Sequence, residues 1–172
     1  MNASVYCTAK TVEQAESIVL QLKQSGFTNN DVSVLLPDKR GTMDFAHEHN
    51  TKAPEGATAG GIAGLGVGAA LGWLAGIGVL AIPGIGPFIA AGPIMSALSA
   101  AAVGTAAGGI FGALVGLGIP EFEAKRFDAK IREGNILISV HTEDGKQRDA
   151  AKSVFKDNYA DDIASAGEAR AR

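Results

Sequence analysis

The sequence predicts an α+β domain divided by a long uncharged insertion, and three observations lead there. The two ends of the chain, residues 1–52 and 119–167, carry charges and alternate between strand-like and helix-like patterns. Between them, from Gly56 to Pro120, there is no Asp, Glu, Lys, Arg, His, Asn or Gln, and 18 of the 23 glycines fall in that window. Inside it, glycine recurs every fourth residue at Gly56, Gly60, Gly64, Gly68, Gly72 and Gly76.

The elements follow in chain order. Ala3 to Thr8 is a short β-prone run. Thr11 and Gln14 form a capping-box pattern, after which Val12, Ala15, Ile18, Val19 and Leu22 recur at helical spacing until Gly26 ends the helix. Asp31 to Leu36 predicts a second strand, closed by Pro37. Residues 38–55 are polar and irregular and read as a linker or lid.

Beyond the window, Pro120 opens a helix with Glu121 and Glu123 near its positive end, Ala124, Phe127 and Ile131 as its inward face, and Gly134 as its stop. The run from Asn135 to Thr142 predicts the clearest strand. Asp144 with Gln147 repeats the capping pattern ahead of a helix that turns Ala150, Ala151, Val154 and Phe155 inward. Asp162 to Ala166 predicts a last strand before a mobile tail at 168–172. Neither flank buries enough apolar surface alone, so the two are expected to fold together. Their combined order, β-α-β, insertion, α-β-α-β, fits a small sheet with helices on one face, similar to a ferredoxin-like sandwich.

The insertion, residues 53–118, must leave and return at nearby points, which predicts a hairpin. Pro83, Gly84, Gly86 and Pro87 supply its turn. Two helices of about 57–82 and 88–118 remain, each longer than the roughly 20 residues that cross a bilayer core. The second arm repeats the small-residue ladder at Gly92, Ser96, Ala100, Gly104, Gly108, Gly112 and Gly116. Glycine costs about 1 kcal/mol relative to alanine in an exposed helix, so the ladder requires a compensating contact, and close backbone approach between helices is that contact. A four-residue stripe turns about 40° per step around a straight helix, too much for one partner to follow. Homo-oligomer contacts are therefore expected between hairpins.

The expectation is an inner-membrane hairpin in contact with lipid, with both termini cytoplasmic. Lys39, Arg40 and Lys52 before the window and Lys125, Arg126, Lys130 and Arg132 after it agree with the positive-inside bias, and the opening residues lack a signal-peptide pattern. Trp73 falls mid-span and reads as a packing or lipid-facing residue. The alternative is a soluble closed oligomer with the ladders buried.

Little chemistry of other kinds is expected. A net charge of −3 provides no footprint for nucleic acid. The single cysteine, Cys7, lies in a strand-like run and reads as a small buried hydrophobe. His47, Glu48 and His49 sit in an extended segment where alternate side chains point apart, so no metal site is expected. His141 reads as a surface or half-buried strand residue. No nucleophile elbow is present, and the glycines at 84 and 86 lack the Lys-Ser/Thr of a phosphate loop. No catalytic residue, cofactor or metal is assigned.

KAPEGATAGG at 52–61, AIPGIGPFIAAGPI at 81–94 and GLGIPEFEAKRF at 116–127, with the opening strand-helix-GF-DVSVL order and GNILISVHTED, resemble the bacterial general-stress, heat-induced YflT-type domain proteins that carry a glycine-zipper insertion. The resemblance spans about residues 3–166, implies a bacterial stress context and agrees with the membrane hairpin. The expected role is then non-enzymatic, in scaffolding or membrane integrity, with the cytoplasmic domain setting the spacing or recruiting a protein partner. It supplies no catalytic set, and DFAHEHNT has no counterpart in it. A second reading from another class is the membrane-anchoring subunit of an electron-transfer complex. A third is a pore, for which Thr58, Ser96, Ser99 and Thr105 are the few polar residues in the hairpin.

Overall fold

The computed structural model describes residues 3–37, 73–74, 78–82, 86–92 and 109–167. They form an α+β domain around one antiparallel sheet. In chain order the elements are β1 (Ala3–Ala9), α1 (Val12–Gln24), β2 (Val32–Pro37), β3 (Gly78–Ile82), β4 (Gly86–Ala91), α2 (Gly109–Gly116), α3 (Glu121–Arg132), β5 (Ile136–Thr142), α4 (Gly145–Asp157) and β6 (Asp161–Gly167). The six strands lie in the order β3-β4-β2-β5-β1-β6, every neighbouring pair antiparallel.

Local chemistry sets the ends of the flank helices as expected. The Gln14 backbone N–H donates to Thr11 Oγ1 at 3.1 Å, while Gln14 Oε1 accepts the Lys10 N–H at 2.8 Å. At the start of α4 the Gln147 N–H donates to Asp144 Oδ1 at 2.8 Å and Gln147 Oε1 accepts from Glu143 N–H at 2.9 Å. Each arrangement satisfies donors that a helix start leaves orphaned. Gly26 and Gly134 follow α1 and α3 at φ +93° and +96°, the left-handed region where a side chain is penalised.

Period-two alternation divides the strands between two cores. Val5, Cys7 and Ala9 of β1, Val32, Val34 and Leu36 of β2, and Ile136, Ile138 and Val140 of β5 point to one face, where α1 and α4 cover them with Ile18, Leu22, Val154 and Phe155. Tyr6, Leu35, Phe88, Ala90 and Leu137 point to the other, beneath Ile110, Ala113 and Leu114 of α2 and Phe127 and Ile131 of α3. Helices therefore cover both faces, where one covered face was expected. The apolar positions of α3 were read correctly, but the face they cover is opposite that of α1 and α4.

The window departs further from expectation. Residues 78–82 and 86–91, expected at the ends of helices over 57–82 and 88–118, are strands. Ile82 pairs with Gly86, so the reversal falls where turn chemistry was expected but joins strands; Gly86 and Pro87 begin β4, and Pro83 and Gly84 lie outside the described residues. Val79, Leu80, Ile82, Phe88 and Ile89 suit a strand, and a short apolar run flanked by glycine and proline has no periodicity that separates buried strand from helix.

Among the described residues no helix is long and apolar enough to cross a membrane. Within the window the described helix is α2, with 8 residues, and its buried side chains face this chain's own sheet. The expected lipid-spanning hairpin, its inner-membrane location with cytoplasmic termini, and the membrane-anchor and pore readings built on it are corrected accordingly. Hydropathy was the main support for the spans, and hydropathy is equally satisfied by strands and a helix buried in a protein core; the flanking basic residues bear on orientation only where a span exists.

Candidate functional site

The uncharged window enters the domain from both sides of the sheet. Trp73 packs against the first core and Leu74 is buried within it; Lys23 Nζ of α1 stands 5.3 Å from the Trp73 ring centroid. At that distance an ammonium is attracted to the indole face. Ile89 and Ala91 of β4 extend the same core, while Phe88 and Ala90 extend the second.

Three ladder positions can be placed. Gly92 follows β4 at φ +82°, and a Cβ there would collide with the Val32 carbonyl and fall 2.8 Å from Ser33 Cα. It thus admits the β2 backbone beside it. Gly112 and Gly116 lie on α2, and a Cβ built on either meets nothing within 4 Å among the described residues, although Ile110 and Leu114 of the same helix are fully buried. Gly56, Gly60, Gly64, Gly68, Gly72, Gly76, Ser96, Ala100, Gly104 and Gly108 lie outside the described residues.

A polar row, of which the sequence singled out His141 but not its neighbours, crosses the second face. Tyr6 pairs with Ser139, and Ser139 pairs on its other side with Ser33; one step along, Ser4 pairs with His141. Tyr6, Ser33, Ser139 and Ser4 are buried, with exposures of 3%, 4%, 7% and 9%. The signal was in the alternation. Leu137, Ser139 and His141 interleave with Ile136, Ile138 and Val140, which predicts one dry face and one polar one. The polar positions are nonetheless withdrawn from water. His141 is half-buried, in agreement with its sequence reading.

At the far edge, β6 is fastened by side chains. Asp162 has φ +53° and accepts a hydrogen bond from Thr8 Oγ1 at 3.1 Å, and Arg126 of α3 pairs with its other oxygen at 2.5 Å. The register with β1 shifts between Tyr6 and Thr8, as an inserted strand residue requires. Lys10 and Asp161 add a solvent-exposed pair at 3.1 Å.

Cys7 is buried as expected, and burial pushes its thiol well above the ordinary range, since a thiolate there would lack solvation. Among the described residues there is no cluster of three or more His, Cys, Asp or Glu able to hold a metal; His47, Glu48 and His49 lie outside them. Comparison with family models, with curated proteins and with solved structures finds no match.

Proposed function

We propose that this chain is a non-catalytic, self-associating protein of the bacterial general-stress type, in which the uncharged segment packs between copies of the chain. The observation that carries this reading is the contrast within α2. Its Ile110, Ala113 and Leu114 are buried in the second core, while side chains at Gly112 and Gly116 would meet no neighbour among the described residues. Glycine in a helix costs about 1 kcal/mol relative to alanine, and nothing in the described part of this chain offsets that at either position. Close approach by another small-residue backbone does.

The stress assignment rests on the sequence resemblance over residues 3–166. We read β2-β5-β1-β6, with α1 and α4 on one face, as a ferredoxin-like unit to which the β3-β4 hairpin adds two strands; the strand order and the antiparallel pairing support that reading.

Light scattering on the full chain tests the proposal. The wild type is expected at a multiple of 17.5 kDa. Gly112→Leu and Gly116→Leu are expected to move the mass toward one copy while circular dichroism stays native. Gly145→Ala, at the start of α4, is expected to leave it unchanged. A wild-type mass of one copy across the accessible concentration range overturns the reading.

A further inference from the structure

The two edges of the sheet differ in a way that bears on assembly. An edge strand presents unpaired N–H and C=O groups, and stable monomers protect such edges with charges, bulges or proline. The β6 edge has that protection: Asp161 and Asp162 stand in it, its register is interrupted, and Arg126 and Thr8 hold Asp162 in a left-handed conformation. Among the described residues the β3 edge has none of it. Its sequence, GVLAI, contains no charge and no proline, and it pairs with β4 without interruption from Gly78 opposite Ala90 to Ile82 opposite Gly86. Among the described residues no strand lies beyond β3.

We propose that the outer edge of β3 pairs antiparallel with β3 of a second copy, so that the two sheets run on as one across a two-fold axis. The inference rests on the self-association reading and adds a second contact to the one at α2. A second copy is the occupant that the chemistry favours. An antiparallel strand pair about a two-fold axis sets GVLAI against its own reverse, so each cross-strand neighbour is uncharged and the pairing is self-complementary. A partner strand carrying acids or lysines would find no counter-charge anywhere in β3. Main-chain hydrogen bonds supply the affinity in this mode of recognition, and they do not depend on side-chain identity.

Two measurements on the full chain test the contact. In the wild type, hydrogen exchange at the amides of residues 78–82 is expected to slow about tenfold or more when the concentration rises from the monomeric to the associated range, a ratio equal to about 1.4 kcal/mol of pairing. In a Cys7→Ala background, single cysteines at Val79, Leu80 and Ala81 are expected to yield a disulfide-linked dimer under mild oxidation at the position nearest the axis, and Asp161→Cys on the opposite edge is expected to yield none. An associated chain whose β3 amides exchange at one rate at all concentrations, with no linkage at 79–81, overturns the edge contact and leaves self-association standing. Slow exchange at 78–82 in a sample of single-copy mass shows the edge covered from within the chain, and likewise overturns it. A chain of single-copy mass at every concentration overturns both proposals.

Discussion

The two faces of the sheet are built from different materials. The face under α1 and α4 is lined by apolar side chains of the three central strands apart from Thr142, whose fully buried hydroxyl donates to the Ala3 carbonyl at 2.6 Å, and its two helices, of 13 residues each, begin at side-chain caps. They are also joined to each other. Ser17 Oγ donates to Asn158 Oδ1 at 2.6 Å, Asn158 Nδ2 donates to Gln21 Oε1 at 2.9 Å, and Gln14 Nε2 donates to the carbonyls of Asn158 and Tyr159, each at 2.9 Å. The face under α2 and α3 mixes Leu35, Leu137 and Phe127 with the buried hydroxyls of Ser4, Ser33 and Ser139, and α3 begins at Pro120 without a side-chain cap. A face with its own caps and a lining that is apolar but for one paired hydroxyl at the end of β5 is specified locally. One that buries hydroxyls under a glycine-bearing helix depends on segments brought from elsewhere in the chain.

Adjacent residues of β5 offer the sharpest way to break that comparison. Ile138 is 0% exposed on the first face and Ser139 is 7% exposed on the second. Ile138→Ser removes apolar volume and leaves a hydroxyl among Val5, Val34 and Phe155, for an expected loss of about 3–5 kcal/mol. Ser139→Ala is expected to cost less than about 1 kcal/mol, since a methyl is tolerated where Leu35 and Leu137 already line the face. Denaturant melts of the two variants check the contrast, and equal losses would show that the faces do not differ as described.

Next in size is Gly92→Ala. The left-handed backbone alone costs about 1–3 kcal/mol for a residue with a Cβ, and contact with the Val32 carbonyl adds to it, so the expected loss is about 3 kcal/mol. Gly26→Ala isolates the conformational part, because Gly26 has a similar φ with nothing within 4 Å of its Cβ position. The difference between the two melting midpoints reads the crowding of β4 against β2.

A smaller effect concerns the tie between the first-face helices. Gln14→Ala removes the donor to the Asn158 and Tyr159 carbonyls just beyond α4 and the acceptor for Lys10 N–H, with α1 and α4 otherwise intact. The groups are partly exposed, so water replaces the lost partners, and about 1 kcal/mol is expected. Cys7 lies beneath those helices, and its protonated, buried thiol is a built-in probe. Its labelling rate should rise with the fraction opened and not with any change in its chemistry.

How far sequence alone reaches follows the same division. The capping pairs at Thr11 and Asp144, the stops at Gly26 and Gly134, and the apolar positions of α1, α3 and α4 are short-range signals, and the elements at both ends of the chain follow them within a residue or two at each boundary. The window carries no such signals. A run such as GVLAI satisfies a buried strand and a lipid-facing helix equally well, and the choice was made by pairing with β4, itself paired to β2 from far away in sequence. The polar row was visible as alternation in residues 137–141, but alternation marks a face without saying what covers it. That cover includes α2, which was assigned to a membrane span. Of the ladder, Gly92 serves close approach to β2, a role that four-residue spacing cannot distinguish from helix contact.

Gly112→Ala is the smallest effect expected and the one that joins the second face to assembly. On α2 a methyl at this position meets nothing within 4 Å in the described chain, so removing glycine's conformational freedom should stabilise the isolated copy by about 0.5–1 kcal/mol. If the same surface of α2 seats a small-residue backbone from another copy, that methyl occupies contact space. The two consequences then separate by concentration: a raised melting midpoint in dilute samples, together with a lower associated fraction when concentrated. Gains in both regimes would mean that no backbone approaches Gly112, and the helix contact would have to be sought at the ladder positions outside the described residues. A loss in the dilute regime would mean that Gly112 is already in contact within its own chain, and that the second face is closed by this chain alone.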